Sequence, residues 1–153
     1  MERAARRETL LQQFRVGSPI ARTLGLVLSF TEDDGAVIHM PYNADYDQAA
    51  GAIQGGMYGV VMDAAGWCTS AVSRDETALP ATAELSMHLL RAVHGVGLRA
   101  EGHLLKAGKR QDVVEMFLYN DVTGELVGHA TGTFVPSERI SSDVRRRRRT
   151  ARD

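Results

Sequence analysis

The sequence predicts an α+β domain in which one antiparallel sheet packs on one long helix. A Gly-rich loop leads into an apolar segment of about five helical turns, from about Gly55 to Val72. Two short apolar segments precede this helix. Four segments that alternate apolar and polar residues follow it, with turns between them. A single internal helix combined with six strands in this order is typical of an α+β fold.

The composition is that of an ordinary globular protein. The 153 residues are enough for one domain, and 44% of them are apolar and 24% charged. The net charge of −1 gives no overall attraction to nucleic acid or to membranes. The single cysteine, Cys68, excludes an internal disulfide and a multi-cysteine zinc site. No segment has the apolar length of a membrane span or of a signal peptide, so we expect a cytoplasmic protein.

The N-terminal third predicts a surface helix and a strand pair. Residues 2–15 have apolar residues at helical spacing, and Gly17-Ser18-Pro19 is expected to end this helix. The segments 24–30 and 36–40 are apolar and flank a Glu-Asp-Asp-Gly turn, which indicates two paired strands. A polar loop then leads to the central helix.

The C-terminal half predicts the rest of the sheet and a tail. Strands are expected near residues 81–89, 98–104, 114–119 and 126–135, with Pro136 ending the last one. The predicted organisation is a helix and turn at 1–19, a domain at 20–136 and a disordered tail at 137–153. The run from Arg145 to Arg149 in this tail is expected to be solvated, although such runs also bind nucleic acid or phosphates.

The central helix has two contrasting faces. The first is apolar and comprises Met57, Val61, Ala64, Cys68, Ala71 and Val72. The second comprises Gly56, Gly59, Asp63, Gly66 and Ser70, at steps of three and four residues. A carboxylate in an apolar helix is costly when buried, which makes Asp63 the first candidate for function. The glycines around it are explained equally by tight helix packing and by access for a substrate.

The loop and the helix contain a spaced set of polar residues and glycines. Gln48 stands six residues before Gln54-Gly55-Gly56, and Asp63 stands nine residues after Gln54. With the order of elements, this pattern resembles the hotdog-fold thioesterases of the phenylacetate-degradation type, which hydrolyse acyl-coenzyme A. The resemblance covers about residues 20–136. Gln54 stands where that family usually has His, so a role that needs proton exchange there is lost, while an orienting contact is retained.

The resemblance implies roles for the helix residues. The backbone N–H of Gly55 would be the main donor to the thioester oxygen, and Gly56 would let the substrate approach. Asp63 would act as a general base on water or as a nucleophile. Trp67, one turn beyond Asp63, would line an acyl pocket, although packing explains it equally well.

It also implies roles for residues outside the helix. Gln48 would orient water or the carbonyl, and Gln54 would orient the site. Thr82, at the start of the strand after the helix, would come from the same subunit as Asp63 and help to position water. The reaction would need no metal and no cofactor besides the coenzyme A of the substrate.

Gly55 and Asp63 are separated by about 12 Å along one helix, which is too far for both to act on one thioester. In the family that the chain resembles, the site lies across a dimer interface, with the carboxylate from one subunit and the glycine N–H from the other. The resemblance therefore implies a homodimer or a dimer of dimers.

Other functions remain as alternatives. A non-catalytic acyl-coenzyme A-binding or assembly protein would explain the replacement of the family His by Gln54. A hydratase on the same fold is disfavoured, because Cys68 stands where its motif would place a His. The five histidines lack metal-ligand spacing; they are His39, His88, His94, His103 and His129. A nucleic-acid partner would have to rely on the arginine run alone.

Overall fold

The predicted α+β architecture is confirmed by a computed structural model that describes residues 2–74 and 78–138. The helices are α1 (Glu2–Gln12), α2 (Pro19–Leu24) and α3 (Gly55–Val72). The strands are β1 (Val27–Phe30), β2 (Ala36–Met40), β3 (Ala78–Leu89), β4 (Leu98–Ala107), β5 (Asp112–Asn120) and β6 (Leu126–Glu138). A short π-helix at Gln13–Gly17 and a short 3-10 helix at Ala44–Tyr46 complete the described elements.

All strands join one antiparallel sheet in the order β1-β2-β4-β5-β6-β3. The sheet covers α3, whose side chains fill the centre of the core: Val61, Met62, Ala65 and Cys68 are fully buried. Strand β5 and the first half of β4 alternate buried and half-buried residues, as the sequence predicted, whereas the second half of β4 is exposed. The prediction of six strands around one central helix is therefore confirmed, and the predicted bounds of α3 match the structure.

The apolar face of α3 lies partly elsewhere than predicted. Met57 and Ala64 were assigned to the core, but they are only half-buried, whereas Met62 and Ala65 are fully buried. The sheet covers most of the helix circumference, so only one stripe of α3 stays uncovered by the chain itself. This uncovered stripe comprises Gly56, Val60, Asp63, Ala64 and Trp67.

The glycines beside Asp63 serve packing. A methyl group on Gly66 would lie 2.5 Å from Cζ of Phe134 and 2.8 Å from the sulfur of Met116. On Gly59 it would lie 3.2 Å from the sulfur of Met87. Both glycines are buried. The cleared face that the sequence suggested is therefore occupied by the protein's own sheet at these two positions.

The N-terminal region differs from the prediction at one point. Ser18 and Pro19 were expected only to end a helix, but they also begin α2. The Ser18 hydroxyl accepts a hydrogen bond from the N–H of Ala21, and proline is favoured at the first helical position. Strand β1 consequently begins at Val27 rather than at Leu24.

The last strand is longer than predicted. Strand β6 runs through Pro136 to Glu138, with Pro136 opposite Pro80 of β3. The arginine run from Arg145 to Arg149 lies outside the described residues. Within the described part of the chain, no helix combines the length and the apolar character that crossing a bilayer requires.

The C-terminal end of α3 is fastened by a buried ion pair that the sequence did not reveal. Asp112 of β5 is fully buried and accepts hydrogen bonds from Arg74 at 2.6 and 2.7 Å and from the Ser70 hydroxyl at 2.6 Å. Removing one partner of such a pair typically costs about 3–5 kcal/mol, because a buried charge is left unpaired. Ser70 therefore belongs to this structural contact, although the sequence placed it on the stripe of Asp63.

Strand β3 is an edge strand with little cover. Within the described residues, its one neighbour is β6, and its other edge has no strand beside it. Met87 and Leu89, two apolar residues of the alternating pattern in this strand, are 41% and 47% exposed. Exposed apolar residues on a long edge strand mark a surface that another chain can cover.

Candidate active site

The N-terminus of α3 presents one backbone donor without an acceptor. The side-chain oxygen of Gln54 accepts a hydrogen bond from the N–H of Gly56 at 2.6 Å, and the Gln54 carbonyl accepts from the N–H of Met57 at 2.9 Å. The N–H of Gly55 has no acceptor among the described residues. Because the first N–H groups of a helix carry its partial positive charge, this donor suits a developing oxyanion.

Gln54 caps the helix rather than joining a proton relay. Its oxygen lies 2.7 Å from the position that a methyl group on Gly56 would take, so a side chain at 56 would require the Gln54 cap to shift. The Gln54 oxygen is therefore engaged as the helix cap, and its orienting role in the site stays a prediction. The same contact gives Gly56 a structural reason to be glycine, besides the predicted approach of a substrate.

The loop before α3 is held by its own backbone hydrogen bonds. The N–H of Gln54 donates to the carbonyl of Tyr46 at 2.9 Å, and that of Ile53 donates to Val93 at 2.9 Å. Gln48 donates its N–H to the carbonyl of Ala52 at 2.8 Å, and its side-chain oxygen accepts from the N–H of Ala50. These bonds fix the position of the Gly55 N–H relative to the body of the domain.

A shallow cleft of about 260 Å³ lies beside Gly55. Gln48 lies on the same cleft, so the structure brings these two predicted residues together. The remaining lining residues are Ala52, Ile53, Tyr58, Leu89, Leu90, Arg91 and Ala92. Sequence reasoning missed Tyr58, although it stands three residues after Gly55 and so on the same side of the helix. The lining residues at the end of β3 could not be assigned to the cleft from the sequence, because their position depends on the fold.

Asp63 lies in the middle of α3 and is paired with Thr82 of β3. The Thr82 hydroxyl donates a hydrogen bond of 2.8 Å to one carboxylate oxygen of Asp63. Burial raises the pKa of Asp63 above its usual value, and the hydrogen bond from Thr82 lowers it in part. A carboxylate with a raised pKa is a stronger base once it is ionised.

Trp67 lies on the same seam between α3 and β3. Its indole N–H donates to the carbonyl of Pro80 at 2.6 Å, and the ring is half-buried against the core. The structure thus places Trp67 one helical turn from Asp63 but outside the cleft beside Gly55. Packing accounts for this indole in one chain, and its predicted contact with an acyl group would require a second chain.

The predicted site residues therefore form two groups that one chain does not join. Gln48 and Gly55 line the cleft at the start of α3, and Asp63 and Thr82 form a pair farther along the helix. Neither member of the second group lines that cleft. The separation of about 12 Å expected from the rise of a helix agrees with this division.

Comparison with known proteins identifies the family. The family model described as the thioesterase superfamily matches residues 50–127, which include the start of α3, Asp63 and Thr82. The chain belongs to the thioesterase superfamily. Within that superfamily, the predicted hotdog fold is confirmed, and thioester hydrolysis is the general activity that membership supports.

Solved structures agree with this fold. A thioesterase from Haemophilus influenzae superposes with a TM-score of 0.78 at 17% identity, over 89% of this chain and 93% of that one. A putative thioesterase from Ralstonia eutropha, described as phenylacetic acid degradation-related, gives 0.72 at 26% identity, over 81% and 96%. A conserved protein from Pseudomonas aeruginosa gives 0.73 at 26%, over 78% and 94%. Comparison with curated proteins gives no match.

In this thioesterase-superfamily chain, the Cys68 thiol is poorly placed to act as a nucleophile. Burial, and to a smaller extent the negative charge of Asp63, raises the pKa of the Cys68 thiol, so the reactive thiolate is disfavoured. His129 approaches Glu115 at 2.9 Å on the sheet. The described residues contain no group of three or more His, Cys, Asp and Glu side chains that could hold a metal ion.

Proposed function

We propose that this protein hydrolyses acyl-coenzyme A thioesters of medium-chain or aromatic acids in a site shared by two subunits of a homodimer. The observation that carries the proposal is the division of the polar residues into two groups. In one group the Gly55 N–H has no acceptor among the residues that the structure describes, and in the other the Asp63 carboxylate accepts a hydrogen bond from Thr82. The first group supplies a donor for the carbonyl oxygen, and the second supplies a carboxylate that can activate water or attack.

The start of α3 would polarise the thioester carbonyl. The Gly55 N–H would donate to the carbonyl oxygen, and its donation would strengthen as negative charge develops on that oxygen. One such donor typically contributes about 3 kcal/mol to stabilisation of the transition state. Gln48, on the same cleft, would orient the carbonyl or the attacking water.

Asp63 would supply the attacking group. As a general base it would take a proton from water, which then adds to the carbonyl carbon and expels the thiolate of coenzyme A. As a nucleophile it would attack the carbonyl carbon and expel the thiolate of coenzyme A, forming an anhydride that water hydrolyses to the free acid in a second step. In both routes Thr82 occupies one carboxylate oxygen and leaves the other available to water or to the substrate.

A second subunit would bring the two groups together. Asp63 lies on the stripe of α3 that its own chain leaves uncovered, next to the exposed edge strand β3. The exposed side chain of Met87 on this strand gives a partner an apolar surface to bury. A homodimer, alone or as half of a tetramer, is the assembly that we propose, and the cytoplasm is its proposed location.

The direct experiment measures thiol release from a panel of acyl-coenzyme A substrates by the wild type and by Asp63→Asn. We expect Asp63→Asn to lower kcat by about 10²–10⁴-fold, because the base or nucleophile is lost while the hydrogen bond from Thr82 is kept. Asp33→Asn, an exposed carboxylate in the β1–β2 turn, is the matched control and should retain wild-type rates. Activity that survives Asp63→Asn would exclude this mechanism.

A melting curve separates lost chemistry from lost folding. Because burial raises the pKa of Asp63 in the folded state, the folded protein loses stability as the pH rises through that pKa. Asparagine does not ionise and escapes this loss. Asp63→Asn should therefore melt at the same temperature as the wild type or higher at neutral pH.

The second candidate is a non-catalytic acyl-coenzyme A-binding protein. The observation that favours it is the side chain of Gln54, which caps α3 where an imidazole would be expected from the family. Tight binding without turnover across the same panel would support this candidate. In that case Gln54→His should increase thiol release, provided that Asp63 and Gly55 remain in place.

A further inference from the structure

Leu89 lies directly over the start of α3. A methyl group built on Gly55 would be 2.8 Å from one terminal carbon of the Leu89 side chain. Leu89 also lines the cleft that includes Gly55 and Gln48. Apart from the neighbouring residues Gln54 and Gly56, no other described side chain comes within 4 Å of that position on Gly55. A carbonyl held by the Gly55 N–H would therefore lie in a part of the cleft that Leu89 borders.

The backbone holds Leu89 in this position, although its side chain is half exposed. Leu89 is the last residue of β3, and it pairs with Gly128 of β6. The next two residues both donate their N–H groups to the carbonyl of Val127, Leu90 at 2.8 Å and Arg91 at 3.2 Å. Because the strand end is fixed, the size of the side chain at 89 controls the width of the cleft.

The chemistry of the cleft suits an aliphatic chain. Of its nine lining residues, only Gln48, Tyr58 and Arg91 have polar side chains. The Gln48 oxygen accepts from Ala50, the Tyr58 hydroxyl donates to the Arg91 carbonyl at 2.9 Å, and the Arg91 guanidinium pairs with Glu125 at 3.0 Å. The Gln48 oxygen and the Tyr58 hydroxyl thus have partners within the protein, and the surface that the cleft offers to a substrate is mainly apolar.

Among its described lining residues, the cleft has no exposed aromatic ring on which an aromatic acyl group could stack. Tyr58 is the one aromatic residue among those lining it, and it is only 2% exposed. The remaining contacts come from leucine, isoleucine and alanine side chains. Small apolar clefts of this kind select chains by length, because each methylene that fits or fails to fit changes binding.

We propose that the cleft beside Gly55 binds an aliphatic acyl chain and that Leu89 determines which chain lengths are accepted. The inference rests on the proposed thioesterase activity and deepens it by naming the acyl class. Leu89 is a specificity-determining residue here, since it contacts the chain and takes no part in the reaction.

The test compares kcat/KM for a straight-chain series from acetyl- to decanoyl-coenzyme A, with benzoyl-coenzyme A as the aromatic member. Leu89→Ala widens the cleft and should raise the decanoyl-to-butyryl ratio of kcat/KM by about tenfold. Leu89→Phe fills the cleft and should lower the same ratio by a similar factor. The matched control is Leu105→Ala, an exposed leucine of β4 outside the cleft, which should leave the ratio unchanged.

The results separate this inference from the proposed function. If the wild type hydrolyses the series but Leu89→Ala changes all rates by one common factor, Leu89 does not select chain length and the inference is wrong. A wild-type preference for benzoyl-coenzyme A over the whole series would also overturn it. If the wild type hydrolyses none of these substrates, the proposed function fails. Dissociation constants for the same series then replace kcat/KM, with the same expected change in the ratio.

Discussion

The two ends of the candidate site are built in opposite ways. The end at Gly55 is supported on all sides by its own chain: Gln54 caps the helix, the loop is bonded to Tyr46 and Val93, and Leu89 lies over the glycine. The end at Asp63 lies on the uncovered stripe of α3, beside an edge strand, with Thr82 as its one hydrogen-bond partner among the described residues.

This difference shows where rigidity is needed within one chain and where a second chain is needed. An oxyanion donor must be fixed before the reaction, so its supports are local and numerous. A carboxylate must be ionised and must reach the substrate, so full burial inside its own chain would defeat its purpose. One helix therefore carries both groups. The Gly55 N–H lies beside a cleft of its own chain, whereas Asp63 lies on a stripe that a second chain can cover.

After the loss of the Asp63 carboxylate itself, the largest expected effect comes from removing the donor at the rigid end. Gly55→Pro deletes the N–H at the first helical position, where proline is favoured, and the extended backbone of Gln54 suits the residue before a proline. We expect kcat to fall by about 10²–10³-fold while the helix is retained. Steady-state kinetics and circular dichroism measure the two consequences.

Gly55→Ala is the matched control for that substitution. Its methyl group meets the same flexible carbon of Leu89 at 2.8 Å, but the N–H is kept. The difference between the alanine and proline variants therefore isolates the donor from the crowding. Equal rates for the two variants would show that the Gly55 N–H does not stabilise the transition state.

A smaller effect is expected at the carboxylate end. Thr82→Val removes the hydroxyl that lowers the pKa of Asp63, so burial acts without that opposition and the pKa rises further. The acid limb of the pH profile of kcat should move to higher pH, because Asp63 must be ionised to act. On the plateau above the limb, kcat should fall by about fivefold, because the carboxylate loses the hydrogen bond of about 1 kcal/mol that holds it in position. If the acid limb stays at the same pH, Thr82 does not influence the pKa of Asp63, and this prediction is wrong.

The smallest effect concerns the helix cap. Gln54→Ala removes the acceptor for the N–H of Gly56 and should lower the free energy of unfolding by about 1 kcal/mol. Gln54→Asn, which offers a favoured capping residue, should retain most of that stability. Urea unfolding measures both variants. A cap role is contradicted if the alanine and asparagine variants lose stability equally.

Local patterns predicted the fold well because each signal acts within a few residues. The bounds of α3 follow from the Gly-Gly step and the apolar run, and the pairing of β4 with β5 follows from period-two alternation around a tight turn. The stretch Ser18-Pro19 was misinterpreted, because the same residues can end one helix and begin the next.

Contacts between distant parts of the chain could not be predicted in the same way. The ion pair between Arg74 and Asp112 joins residues that nothing in their local sequence relates. The contact of Leu89 with Gly55 depends on where β3 ends relative to α3. The spacing of Gln48, Gly55 and Asp63 marked the candidate residues, but only the fold shows that they separate into two groups.

Subunit complementation tests the shared site most directly. Gly55→Pro and Asp63→Asn, each inactive alone, are unfolded and refolded together so that mixed dimers form. In a mixed dimer of a symmetric protein, one site carries both substitutions and the other carries neither, so the mixture should recover about a quarter of wild-type activity. If the mixture stays as inactive as the separate variants while mixed dimers are present, the two groups do not act across a subunit interface.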